Sequence, residues 1–213
     1  MRSPATRDRV RAVRRDVWFL WALRHLPCRV AIFQWRAWRR GAQLGDEFAR
    51  VSFTSPGKLA TIIKLAGSGP FVVELGTAQG WTAISLAVAD PDREVISFDP
   101  VERPGHPEPQ RYLELVPEQV RRRVSLARER GDSGPRTDRP VDLLYVDTTH
   151  ERADTIRELE AWRPVLRDGA WVVLDDYTHP EFPGVREAVG ELGLEGEERD
   201  GLFVHRVTKQ AQT

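Results

Sequence analysis

Two short stretches place acids and a histidine at a spacing that can do chemistry. In "VDLLYVDTTHE", Val141 to Glu151, an apolar run ends in Asp147, and His150 follows three residues later. In "VVLDDYTHP", Val172 to Pro180, a second apolar run ends in the pair Asp175 and Asp176. Adjacent carboxylates repel unless a cation lies between them or one turns away. Three acids without clustered Cys or His form an oxygen-only donor set, which suits a hard divalent ion such as Mg²⁺. His150 is a candidate general base. Thr148 and Glu151 also spell a T-x-x-E capping box, which would put His150 in the first turn of the next helix. The positive end of that helix favours a neutral imidazole, the form a base needs, so the two readings coexist. His179 reads as a loop residue beside the acid pair.

The elements that must position these residues alternate between strand and helix. "TSPGKLATIIKLAG" predicts a helix with Ser55 as N-cap, Pro56 in the first turn and Gly67 as stop. "FVVELG", "EVISFD", "RVSLARE", "VDLLYVD", "GAWVVLDD" and "GLFVHRV" predict strands, the last paired with a short one near 195–199. Helices are expected over "WTAISLAVA", about 112–121, "ERADTIRELEAWRPVL" and "GVREAVGELG". "PVERPGHPEPQ" is a Pro-rich connector, a candidate substrate lid. The pattern implies an α/β fold, doubly wound, with a mostly parallel sheet covered by helices on both faces. Ligands of such sheets bind beyond the carboxyl ends of the strands.

The first strand end reads "VVELGTAQGWTAISLA", Val72 to Ala87. Gly76 and Gly80 flank a turn into a helix, where backbone can approach a ligand and the helix N-terminus adds positive potential. The spacing is neither G-x-G-x-x-G nor a P-loop. Glu74 stands in the apolar strand before it, and Asp99 ends the next strand, where carboxylates commonly bind ribose hydroxyls. From about Val51 to Val207 the sequence resembles the class I S-adenosylmethionine-dependent methyltransferases. It is most similar to their small O-methyltransferase branch of catechol, caffeoyl-CoA and macrolide-sugar type, whose first motif reads E-[LI]-G-x-x-x-G-[YW]-[ST]. The resemblance implies a Rossmann-like seven-stranded sheet. It implies a cofactor site of Glu74, Gly76, Thr77, Ala78, Gly80, Trp81, Thr82 and Asp99, with Asp132 and Ser133 near the adenine and Thr54 and Ser55 covering it. It also implies a metal held by Asp147, Asp175 and Asp176, because that branch uses one acid from the fourth strand and a D-[ND] pair from the fifth. His150 falls where the macrolide-sugar enzymes carry a base, which leaves sugar-like, aliphatic and phenolic hydroxyls open as acceptors.

Bulk properties set the boundaries. Lys plus Arg equals Asp plus Glu at 32 each in 213 residues, so no nucleic-acid partner is expected. The single cysteine, Cys28, and the lack of a signal-peptide pattern fit a cytoplasmic enzyme. Residues 1–50 are expected to form an Arg/Trp-rich helical extension, and 51–213 the methyltransferase domain that the resemblance implies. Val10, Val13, Val17, Leu20 and Trp21 fall at helical spacing. They predict a helix that docks this stripe on the main domain, or a basic amphipathic helix for a membrane surface or a second copy of the chain. The leading expectation is a magnesium-assisted O-methyltransferase of a small hydroxylated molecule. The alternatives are a metal-independent enzyme with an N or C acceptor, and a non-catalytic cofactor-fold protein working through its extension.

Overall fold

The computed structural model describes residues 16–135 and 138–209. Five strands run parallel: β1 (Phe71–Leu75), β2 (Glu94–Phe98), β3 (Val124–Ala127), β4 (Val141–Val146) and β5 (Leu166–Leu174). β6 (Gly196–Arg199) and β7 (Leu202–Arg206) add an antiparallel edge, as the pairing of the last strand with 195–199 anticipated. The sheet order is β3-β2-β1-β4-β5-β7-β6. The chain therefore winds outward in both directions from β1 and β4, and the crevice at such a switch point is where ligands bind.

Register fixes what lines that crevice. Leu75 pairs with both Phe98 and Val146, and Val146 with Leu174. The residue after each of these strand ends extends the ladder by one bond. Gly76 N donates to Phe98 O at 2.8 Å, Asp147 N to Leu75 O at 2.8 Å, and Asp175 N to Val146 O at 2.9 Å. Asp99, Gly76, Asp147 and Asp175 thus stand in one row across the sheet.

β1 and β4 are buried along their whole length, as strands covered on both faces must be. Alternate side chains feed two cores. Val72, Leu143, Tyr145 and Val173 pack with Leu59, Ile84 and Leu86 on one face. Val73, Leu144, Val146 and Val172 pack with Leu159, Trp162 and Val185 on the other.

The first of these cores continues into the extension. Helix Cys28–Leu44 buries Val30, Phe33, Ala37 and Trp38, and its Gln34 Nε2 donates to Ser85 Oγ at 2.9 Å. In the helical turns over 16–22, the buried residue is Phe19, followed by Ala22, Leu23 and Leu26. Phe19 stacks on Trp38 with ring centroids 4.2 Å apart. The expected stripe therefore faces outward: Val17 and Trp21 are both 61% exposed, and Leu20 is exposed beside them. Phe19, Ala22, Leu23 and Leu26 also obey helical spacing, and the stacking partner decides between the two faces. Val10 and Val13 lie outside the described residues.

The helix expected over 112–121 is split by Pro117 into Gln110–Leu113 and Glu118–Arg121, because proline disfavours helix in the residue before it. Among the described residues no helix is long and apolar enough to cross a membrane.

Candidate active site

At the β1 end, Gly76 has φ +102°, and a Cβ there would lie 1.7 Å from the carbonyl oxygen of Asp147. Only glycine lets the β1 and β4 ends run this close. Beneath it, Glu74 is buried and accepts a short hydrogen bond from Ser97, whose hydroxyl also meets Thr77 Oγ1 at 2.6 Å. Burial pushes the Glu74 carboxyl up to about 8, with Asp147 and Asp99 adding to the rise and Ser97 opposing it. Glu74 supports the glycine turn from below; the cleft is lined by the residues above it.

Asp99 ends β2. Its Oδ1 accepts from Val101 N at 2.8 Å, and its Oδ2 accepts from Ala78 N and Arg103 Nη2, each at 2.9 Å. A carboxylate has about four acceptor positions, so one remains for a ligand hydroxyl. The cleft beside it is floored by Gly76 and Ala78 and walled by Val101, Gly131 and Glu158. A second, narrower cleft lies among Thr54, Trp81 and Thr82. Both share Gly76, Ala78 and Asp147, so one crevice crosses the sheet at the switch point. Trp81 opens helix Trp81–Ala89, and its buried indole N–H has no partner among the described residues. The open acceptor position on Asp99 suits a ligand hydroxyl, and the start of the Trp81 helix suits a negatively charged group.

The β4 and β5 ends carry the acid cluster, and the cluster is not empty. The ε-ammonium of Lys58, from helix Pro56–Ala66, donates to Asp175 Oδ1 in a short contact and to Asp176 Oδ1 at 2.9 Å. Tyr145 OH lies 2.7 Å from Asp175 Oδ2 and 3.2 Å from Asp147 Oδ2; its single proton goes to the nearer. Thr54 Oγ1 links that phenol to Thr82, at 3.3 and 2.8 Å. The expected magnesium does not fit this arrangement. Both Asp175 oxygens and one of Asp176 already face protein donors, and one of those donors is itself a cation. No group of three or more His, Cys, Asp or Glu side chains among the described residues is arranged to hold a metal ion.

His150 stands over the same point. Its Nε2 is 3.2 Å from Asp147 Oδ1 and 3.8 Å from Asp176 Oδ2. Neither oxygen lies on the line of a directed hydrogen bond, so this buried nitrogen is left for another partner. The ring stacks on Phe182 at 4.7 Å, and the His179 ring meets the same phenylalanine at 4.7 Å. Burial works against the imidazolium, but Asp147, Asp176 and Asp175 outweigh it and raise the His150 pKa. Asp147 is raised too, by poor hydration first and by Asp175 and Asp176, with His150 pulling it down.

The capping box does not form. Helix Arg152–Trp162 starts after Glu151, which makes no side-chain cap. Thr148 Oγ1 instead donates to the buried Glu158 Oε2 at 2.8 Å, and Thr149 Oγ1 accepts from Glu151 N at 3.3 Å. His150 lies before the helix with φ +60°, and Asp176 has φ +51°. Left-handed backbone at two non-glycine residues is costly and gathers at functional sites. Gly184 makes room for this turn: a Cβ there would be 2.5 Å from His150 O.

The remaining expected residues fall as follows. Thr77, Ala78 and Thr82 line the crevice or its rim, and Gly80 is the N-cap of helix Trp81–Ala89. Ser55 is the N-cap of its helix and accepts from Lys58 N at 3.4 Å. Asp132 is held by Arg130 through two 2.8 Å bonds and by Arg157, which keep its carboxyl below the usual range. Its neighbour Gly131, rather than Asp132 or Ser133, lines the cleft. Residues outside the expected set also shape the site. They are Lys58, Tyr145 and Phe182, Glu158, which burial raises to about 7, and Asp46. Asp46 is buried and receives Tyr112 OH at 2.6 Å and Gln79 Nε2 at 3.1 Å, pinning the glycine turn to the extension.

Residues 73–177 match the family model of a methyltransferase domain. Solved structures share the fold. The O-methyltransferase TomG of Streptomyces achromogenes, from tomaymycin synthesis and in complex with S-adenosylmethionine, is 22% identical. It aligns over 81% of this chain and 90% of its own, with a TM-score of 0.62. An O-methyltransferase of Bacillus cereus, in complex with S-adenosylhomocysteine, is 13% identical over 80% of this chain and 89% of its own, with a TM-score of 0.60. CalS11, a TDP-rhamnose 3'-O-methyltransferase of calicheamicin biosynthesis, is 19% identical over 71% of this chain and 78% of its own, with a TM-score of 0.54. No curated protein matches the chain. The matched region is the segment that builds the crevice, from Val73 in β1 to Tyr177 after β5, and over it the chain is similar to a methyltransferase domain.

Proposed function

We propose that this enzyme methylates a hydroxyl oxygen of a small molecule of sugar, polyketide or phenolic type. The observation that carries the proposal is His150. Its buried Nε2 has no directed partner, and Asp147, 3.2 Å away, borders the crevice that passes Gly76. Bound S-adenosylmethionine supplies a methyl group on a sulfonium, an electrophile that needs alignment rather than activation. Asp99 takes the ribose, and the start of helix Trp81–Ala89 takes the carboxylate of the methionine tail. His150 accepts the hydroxyl proton at Nε2 as the new oxygen–carbon bond forms and the sulfur–carbon bond breaks. Asp147 then stabilises the imidazolium. An oxygen acceptor is the kind that needs such a base at neutral pH. Similar structures named as O-methyltransferases, one of them acting on TDP-rhamnose, support the same acceptor class.

The test is methyl transfer from S-adenosylmethionine to a panel of sugar nucleotides, polyketides and phenols, read by mass spectrometry. Transfer to a hydroxyl in wild type, lost in His150→Ala while calorimetry shows unchanged cofactor affinity, is the expected result. A His150→Ala enzyme with wild-type turnover would remove the base.

A further inference from the structure

We infer that Lys58 is a built-in cation: its ammonium holds the point between Asp175 and Asp176 that a divalent ion is expected to take, so the chain works without one. The role of Lys58 in turnover rests on the methyl transfer proposed above. Its occupation of the acid pair does not.

The side chain is held from several directions. Ser55 caps the helix that carries it, and Lys58 lies in the first turn, with its own N–H on the Ser55 hydroxyl. From there the stem runs past the β6–β7 turn, where a Cβ on Gly201 would lie 3.5 Å from Lys58 Cε. That turn is tied to both sides of the pair: Thr61 Oγ1 donates to Asp200 Oδ2 at 2.6 Å, and Tyr177 N to Gly201 O at 3.0 Å. The ammonium therefore reaches its carboxylates from a packed frame. Lys58 is 22% exposed and Asp175 6%.

Charge makes the occupation exclusive. Two adjacent carboxylates need a positive partner, and Lys58 supplies it to both. A divalent ion at the same point would meet the ammonium at contact distance, where like charges repel strongly. It would bind only after Lys58 withdrew and left its own charge partly buried. An ammonium has three N–H donors, and two are spent on Asp175 and Asp176. The third has no protein partner among the described residues. It is free to meet an acceptor oxygen as His150 takes the proton, the polarising role otherwise given to a metal.

Mn²⁺ alone, followed by its electron paramagnetic resonance signal on the full chain, tests this without any methyl acceptor. Wild type is expected to leave the free Mn²⁺ signal intact. Lys58→Ala is expected to take up one Mn²⁺ per chain, and Lys58→Ala with Asp175→Asn to lose it again. Should Lys58→Ala fail to melt cooperatively, Lys58→Gln serves in its place. With an acceptor in hand, wild-type turnover is expected to survive EDTA and Lys58→Gln turnover to fall roughly 10²-fold. One equivalent of Mn²⁺ bound by wild type and abolished by Asp175→Asn would overturn the inference. Failure of S-adenosylmethionine to bind in calorimetry would remove the proposed function and leave the Mn²⁺ result standing.

Discussion

The two halves of the crevice are built on different logics. At the β1 and β2 ends, backbone does the work: Gly76 N and Asp99 N extend the ladder, and Ala78 N and Val101 N bind the Asp99 carboxylate. At the β4 and β5 ends, side chains do it, with Lys58 and Tyr145 reaching across to Asp175 and His150 leaning on Asp147. A cofactor site made of backbone is insensitive to most substitutions and follows from local sequence. A reaction site made of side chains from distant segments can change its chemistry with one residue. The first half therefore keeps the local glycine pattern, while in the second Lys58 lies on the acid pair, where we infer that it stands in for a metal.

The comparison can be broken from either side. The largest effect is expected at His150: His150→Ala should lower kcat by about 10²–10⁴, measured as initial rates, with cofactor affinity unchanged by calorimetry. Cofactor affinity falling in parallel would mean that the halves are not separable. Glu74 tests the floor beneath the backbone half. Its folded value of about 8 lies above its ordinary 4.5, so between these values the folded chain holds a proton that the unfolded chain has lost. Stability contributed by that proton is full below the lower value and drains away as pH rises to the upper one. Glu74→Gln should remove the decline and make the chain more stable above pH 8, by roughly 3–5 kcal/mol, read from Tm across pH. Equal Tm profiles would place the Glu74 carboxyl in an ordinary environment.

Asp99→Ala should cost about 1.5–3 kcal/mol of cofactor binding, or roughly 10–100-fold in Kd. Calorimetry reads it, and the Mn²⁺ behaviour of the acid cluster should not change. The smallest effect is expected at Asp46, outside both halves. Asp46→Asn weakens the acceptor for Tyr112 and Gln79 and should lower stability by about 1–2 kcal/mol, with a slight loss of cofactor affinity as the glycine turn loosens. An unchanged Tm would show that the extension does not brace the turn.

How much of this was legible in the sequence follows the same division. Gly76, Gly80 and Asp99 could be read because each is the residue at or just after a strand end, and strand ends are marked by local pattern. The row Asp99, Gly76, Asp147, Asp175 follows from parallel pairing alone. Lys58 could not be read as a site residue, because it lies 117 residues from Asp175 and looks like an ordinary first-turn lysine after a good N-cap. "TTHE" matched a capping box, but a buried Glu158 offered the Thr148 hydroxyl a better partner than the helix start did. The outer stripe of the extension misled for a related reason: two faces had helical spacing, and only Trp38, far along the chain, selected Phe19.

The most direct test is diffraction at the manganese edge from crystals grown with S-adenosylhomocysteine and Mn²⁺. The account predicts cofactor density running from Asp99 past Gly76 to the start of the Trp81 helix, no anomalous peak between Asp147, Asp175 and Asp176, and the Lys58 ammonium on the acid pair. An anomalous peak there, with Lys58 turned away, would contradict it.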